Sequence, residues 1–167
     1  MGTWAALWGV TGVSLVLGWA IARLSVVAWY AVAAPLAPHH WAALVAVIAA
    51  MAFLEGYRGF QRGFSPRVAA RARHLSLHPT PLRAALAPLF CIGYFGAPRG
   101  RRIASIAVTA GIMVLVAAVR RLDQPWRGII DAGVVVGLAW GLASVWIFTA
   151  RAFGPRGLDH PAEVVPT

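Results

Sequence analysis

The amino-acid sequence predicts an all-α membrane protein, a polytopic bundle of four transmembrane helices with a fifth possible. Of its 167 residues, 60% are hydrophobic and only 12% are charged, whereas about a quarter are charged in ordinary soluble domains. The mean hydropathy is +0.72. Several apolar runs approach or exceed the roughly 20 residues that a helix needs to cross a bilayer. These observations exclude a soluble enzyme, a disordered chain and a disulfide-rich secreted domain.

The apolar runs predict four spans at about residues 4–22, 38–57, 103–119 and 128–150. The first run continues to residue 34, and as one helix it would be about 46 Å long. Part of it therefore has to tilt or leave the hydrocarbon core. No Lys or Arg precedes this run, which favours an uncleaved anchor over a signal peptide. The spans form a single membrane domain over residues 1–153, and residues 154–167 form a polar tail.

The segment between the second and third spans is less regular. Ser65 precedes a proline, which is typical of a helix start, and Val68, Ala72 and Leu75 share one face of the helix that follows. Arginine and histidine occupy most of the remainder, so we expect a short amphipathic cytoplasmic helix that lies on the membrane surface. Residues 82–97 are apolar but short for a span. They predict a re-entrant segment, an interfacial segment or a short fifth span.

Positive charge sets the expected orientation. Every one of the fifteen basic residues is arginine, and nine of them fall in residues 56–102, which form one loop if there are four spans. Positively charged loops stay in the cytoplasm, so both termini are expected there. The absence of lysine is typical of a GC-rich bacterial genome, and we therefore expect a multi-pass protein of the bacterial inner membrane.

The same arginines predict the partners. A net charge of +10 would suggest nucleic acid in a soluble protein, but here the arginines alternate with apolar runs. We therefore expect anionic lipid headgroups as partners and no nucleic acid. The arginines expected to contact headgroups are Arg58, Arg62, Arg67 and Arg71.

One acidic residue lies about one turn inside the last predicted span. Asp131 follows Arg127 by four residues, and this spacing favours an ion pair on one helix face. Arg23 ends the first span on the same side of the membrane, so an intramembrane pair between Arg23 and Asp131 is a second hypothesis. Glu55 is expected at the other face of the membrane, at the cytoplasmic end of the second span.

A stripe of small residues marks the last span. Gly133, Gly137 and Gly141 are four residues apart and therefore share one helix face, which allows another backbone to approach closely. The spacing does not distinguish packing within the chain from packing against a partner protein or a second copy.

No arrangement of residues indicates catalysis, so we expect no enzyme, no cofactor and no metal site. The single cysteine, Cys91, cannot form an intramolecular disulfide and is expected to be a buried thiol. The function that these features favour is a non-catalytic accessory, assembly or scaffold subunit that acts through helix–helix contacts. The alternative is a small transporter or channel for a proton, ion or small solute that uses Asp131.

Overall fold

Residues 2–155 and 157–165 are described by the computed structural model, and within them the regular structure is entirely helical. The helices are α1 (Gly2–Ala33), α2 (Pro38–Met51), a π-helical segment (Ala52–Phe64), α3 (Ser65–Leu77), α4 (Pro81–Ala85), α5 (Ala87–Ile92), α6 (Arg99–Val119) and α7 (Trp126–Phe153).

Among the described residues, four helices are long and apolar enough to cross a membrane, which confirms the four-helix membrane bundle. They are α1, α6, α7 and one continuous helix over Pro38–Leu77, which we call the long helix. It comprises α2, the π segment and α3. The long helix begins with Pro38 in its first turn. Proline is favoured there, because the backbone N–H that it lacks would have no hydrogen-bond partner within the helix. The protein is therefore a multi-pass membrane protein.

The long helix, α1 and α7 form the packed part of the bundle. Gly2 of α1 lies beside Ser76, and Gly128 of α7 lies beside Val27 and Ala31 of α1. The long helix and α7 thus run in the same direction, and α1 runs against them. We call the end that carries Gly2, Leu77 and Phe153 the arginine-rich end, and the end that carries Ala33, Pro38 and Trp126 the opposite end.

Residues 82–97 contain no helix long enough to be a fifth span. They contain the last residues of α4, the six-residue α5 and an irregular stretch, and neither helix is long enough to cross a bilayer. Thr80 caps α4 by accepting a hydrogen bond from the backbone N–H of Arg83 at 3.3 Å. Gly93 ends α5 in the left-handed conformation, with a φ of 97°, which glycine adopts at little cost. Both helices pack against the first third of α1.

The helix expected over residues 65–77 is present, but its predicted place on the membrane surface is wrong. It continues the long helix without a break, so Ser65 has helical backbone angles and is not an N-cap residue. Its residues Val68, Ala72 and Leu75 are buried against α1, α5 and α7. The apolar face of this helix, which predicted a contact with lipid, packs against other helices of the protein instead.

Cys91 is expected to be chemically inert in the folded protein. Its side chain is 1% exposed and packs against Gly9 of α1, and burial raises the pKa of the thiol to about 12. Because the thiolate is the reactive form, a maleimide should label the native protein in detergent only very slowly and should label it fully in SDS. Mass spectrometry measures the difference. Rapid labelling of the native protein would show that α5 is not packed on α1.

Candidate functional site

Three of the four glycines of α7, Gly133, Gly137 and Gly141, pack against the long helix of the same chain. A Cβ built on Gly133 would fall 2.7 Å from Val47 Cγ1, and one on Gly137 would fall 2.5 Å from Glu55 Oε2. A Cβ on Gly141 would fall 2.5 Å from Cγ of Phe60. These distances leave no room for a side chain. We call this contact the glycine seam.

The π segment explains how the long helix keeps facing the glycine seam. Contacts with α7 come from Val47, Met51 and Glu55 at intervals of four residues, and then from Phe60 and Ser65 at intervals of five. An α-helix would turn positions five residues apart away from each other. The wider π-helical hydrogen bonding, from residue i to i+5, returns them to the same face.

Glu55 lies in the middle of the bundle and not at its cytoplasmic end, so the expected position was wrong. It faces Gly137, which follows Arg127 by ten residues and precedes Arg151 by fourteen. At the α-helical rise these separations are roughly 15 Å and 21 Å. The sequence-based span ended near Glu55 because charged residues follow it, whereas the helix continues to Leu77.

The Glu55 carboxylate has no polar partner within the part of the chain that the structure describes. No described arginine or histidine nitrogen lies within 4 Å of it, and no side-chain hydrogen bond from a described residue reaches it. Arg58, which α-helical spacing would bring close to Glu55, is exposed instead. A carboxyl group in a membrane span is costly to ionise, and such groups are usually functional.

Two polar contacts follow Glu55 along the seam towards the arginine-rich end. Trp140 Nε1 donates to Gln61 Oε1 at 2.7 Å, and the hydroxyls of Ser65 and Ser144 are 2.6 Å apart. Next to them is an open groove of about 400 Å³. The groove is lined by Gln61, Trp140, Ala143, Ser144, Ile147, Phe148 and Arg151.

Asp131 forms an ion pair with Arg127 and not with Arg23. Asp131 is 5% exposed, and its Oδ2 is 3.9 Å from Nε of Arg127. Arg23 is exposed, and its guanidinium carbon lies 5.6 Å from the centre of the Trp19 ring. The predicted intramembrane pair between Arg23 and Asp131 is wrong. The two residues lie near the same end of the bundle, but Arg23 is outside the buried face of α1. The intrahelical pair supports a structural role for Asp131.

Arg71 does not contact lipid headgroups, because it is buried. Its side chain is 3% exposed and donates to four carbonyl oxygens. The acceptors are Phe90 at 2.6 Å, Phe95 at 2.7 Å, Glu163 at 3.1 Å and Ala162 at 3.3 Å. The guanidinium also lies 4.2 Å from the centre of the Phe90 ring. Arg71 therefore joins α3, the end of α5 and the tail.

The other arginines expected at headgroups have different surroundings. Arg58 and Arg62 are exposed, and Arg62 lies 5.8 Å from the centre of the Tyr57 ring. Arg67 is half-buried and lines a small cavity of about 10 Å³ together with Arg101 and Glu163. Arg58 and Arg62 are thus exposed on the surface of the bundle, and their contact with headgroups stays a prediction.

Sequence reasoning placed Glu55 at the cytoplasmic end of the second span and Ser65 at a helix start. It did not single out the other polar residues of the seam, which are Gln61, Trp140 and Ser144. The one available signal was the five-residue spacing of Glu55, Phe60 and Ser65, which is unusual for one face of a helix. No group of three or more potential metal ligands occurs among the residues that the structure describes.

Comparison with known proteins gives no relative from which a function could be transferred. No family model matches the sequence, and neither curated proteins nor solved structures show a significant match.

Proposed function

We propose that this protein is a non-catalytic accessory, assembly or scaffold subunit in a bacterial inner membrane, and that it binds another membrane protein through α6. The observation that carries this proposal is the exposure of α6. Its 21 residues are long and apolar enough to span a membrane, yet none of them is buried against the rest of the described chain. The other three long helices all bury residues in the bundle.

The hydrogen bonds that hold α6 to its own chain lie in its first half. Ser105 Oγ donates to the carbonyl oxygen of Ile92 at 3.2 Å, and the hydroxyls of Thr109 and Tyr94 are hydrogen bonded. Arg101 Nε is 2.6 Å from a carboxylate oxygen of Glu163. Residues 110–119 consist only of Ala, Gly, Val, Ile, Leu and Met. This half of α6 is free to pack against an apolar helix of another protein.

Gly111 marks the face of α6 that suits such a contact. A Cβ built on Gly111 would meet no heavy atom within 4 Å, whereas one on Gly133, Gly137 or Gly141 would overlap the long helix. Gly111 and Ala107 are four residues apart and form a small-residue face that allows close helix approach. The α7 glycines pack within the chain, whereas α6 provides a free small-residue face, which supports the proposal.

The distribution of arginine supports the orientation that we propose for the subunit. Arg99, Arg101, Arg102 and Arg151 lie at the arginine-rich end, where both α1 begins and α7 ends. Under the positive-inside rule this end faces the cytoplasm. Exposed arginines at this end, such as Arg99 and Arg102, are suited to anionic headgroups.

Gly111→Leu is expected to remove the partner and leave the subunit folded. A leucine at this position would keep the partner helix from approaching. It is expected to be tolerated by its own chain, because Gly111 is exposed and a Cβ built on it meets no heavy atom within 4 Å. The measurement is mild-detergent purification of the tagged chain from its native host, with the mass and the stoichiometry of co-purifying proteins determined.

Ala110→Leu is the matched control, because residue 110 has the same depth but points about 100° away around the helix. Its complex is expected to resemble that of the wild type. A wild-type chain that purifies as a lone monomer would refute the subunit proposal. A pure homo-oligomer would show that α6 binds a second copy of this chain and not a different protein.

A further inference from the structure

We propose that Glu55 is a proton-binding site in the membrane interior, and that its carboxyl group exchanges its proton with the arginine-rich side along the glycine seam. The site is independent of α6 and therefore of the proposed subunit role. Three observations support it: the depth of Glu55, the absence of a counter-charge among the described residues and the polar contacts that follow it along the seam.

Within the part of the chain that the structure describes, the charged groups on the elements that pack against Glu55 are far from it along their helices, paired with another residue or exposed on the outside of the bundle. The π segment packs against α2, α3 and α7. On α7, Arg127 pairs with Asp131, and Arg151 is fourteen residues from Gly137. On its own segment, Arg58 and Arg62 are exposed.

The remaining ionisable groups belong to the ends of the long helix. His39 and His40 lie in the first turn of α2, more than ten residues before Glu55. The α3 residues Arg67, Arg71, Arg73 and His74 all follow Glu55 by at least twelve residues. None of them lies within 4 Å of the carboxylate.

The neutral acid is therefore the stable form of this carboxyl group. An ionised carboxylate without a counter-charge in an apolar medium is far more costly than a neutral carboxylic acid. Gly137 has no side chain, so the carboxyl group can lie directly against the α7 backbone. π-helical segments are rare and often occur at functional sites, and here the segment holds Glu55 at the seam.

Polar side chains along the glycine seam provide hydrogen-bonding groups for a proton route from Glu55 to the arginine-rich end. The Gln61–Trp140 and Ser65–Ser144 contacts lie between Glu55 and the arginine-rich end. The groove of about 400 Å³ adjoins both contacts and extends to Arg151. Its volume is large enough for several water molecules, since each occupies about 30 Å³ in the liquid.

The test is labelling with dicyclohexylcarbodiimide, an apolar reagent that reacts with protonated carboxyl groups. The acid proton passes to a carbodiimide nitrogen while a carboxyl oxygen bonds to the central carbon. A shift of the acyl group to nitrogen then gives a stable N-acylurea without a leaving group. The full-length protein, reconstituted in liposomes, is treated over a range of pH and mapped by mass spectrometry.

The expected result is one dominant adduct, located on Glu55. Its initial rate should fall as the pH rises, by about tenfold per pH unit once the carboxylate predominates. Glu55→Gln should abolish the adduct, and Asp131→Asn should leave it unchanged. Because the labelled residue is mapped in the wild-type protein, the result does not depend on the folding of a variant.

Two outcomes would overturn the proposal. One is the absence of a Glu55 adduct at every pH while the apolar reagent labels a control membrane protein. The other is protection of Glu55 by sodium chloride but not by choline chloride at constant pH, which would show a cation site instead. Infrared spectroscopy gives a second measurement, since the carboxylic acid C=O band should be present in the wild type and absent from Glu55→Gln.

Discussion

Replacing Gly137 by leucine is expected to disrupt the bundle itself and to cause a large loss of stability. The added Cβ alone would fall 2.5 Å from Glu55 Oε2 and 3.0 Å from Glu55 Cβ. Three further carbons would have to separate α7 from the long helix. Overpacking of a well-packed core typically costs about 1–3 kcal/mol, and separation of two backbones adds the loss of their other contacts. We therefore expect the free energy of unfolding to fall by at least about 3 kcal/mol.

Unfolding of the purified protein in detergent, followed by tryptophan fluorescence, measures this effect. The sequence has eight tryptophans, and Trp140 lies in the seam itself. The matched control is Gly111→Leu, the same change in a spanning helix at a position that contacts nothing. Equal stability of the two variants would show that the glycine seam does not hold the bundle together.

Arg71→Met is expected to release the tail and destabilise the arginine-rich end. Methionine keeps an apolar chain of similar length but donates no hydrogen bonds. Four carbonyl oxygens would lose their donor, including those of Ala162 and Glu163 in the tail. Hydrogen bonds to charged groups contribute about 1.5–3 kcal/mol each and are not additive, so we expect a loss of at least about 3 kcal/mol.

Hydrogen–deuterium exchange of residues 157–165 distinguishes tail release from general unfolding. In the wild type these residues are held by Arg71, by the pair between Arg101 and Glu163, and by the backbone hydrogen bond from Val165 to Gly96. Exchange in the tail should rise in Arg71→Met while α7 remains protected. Arg99→Met, which alters an exposed arginine at the same end, should leave the tail protected.

The number of spanning helices was predictable because hydrophobic length is a local property of the chain. Each span needs about 20 apolar residues wherever it packs, and the runs that contain Trp4, Trp41, Ile112 and Gly137 are each part of a helix that satisfies this requirement. The small-residue stripe of α7 was visible for a similar reason, since a spacing of four places glycines on one face of any α-helix. Which helix would occupy that face was not visible.

The depth of Glu55 and the burial of Arg71 were not predictable from local patterns. Arginines and glycines after residue 55 lower the mean hydropathy, so the predicted second span ended there. In the structure the helix continues because Val68, Ala72 and Leu75 are buried against neighbouring helices. Arg71 is buried because carbonyl groups of α5 and the tail, distant in sequence, replace the water around its guanidinium.

Residue type and spacing within single segments were enough to predict a four-helix membrane protein with a small-residue face on its last helix. The packing of the helices was needed to show which polar residues lie inside the bundle, which of these residues are paired, and that α6 buries no residue against the rest of the described chain. These features could not be read from one segment, because the cost of a buried charge and the benefit of a close helix contact depend on groups from other helices.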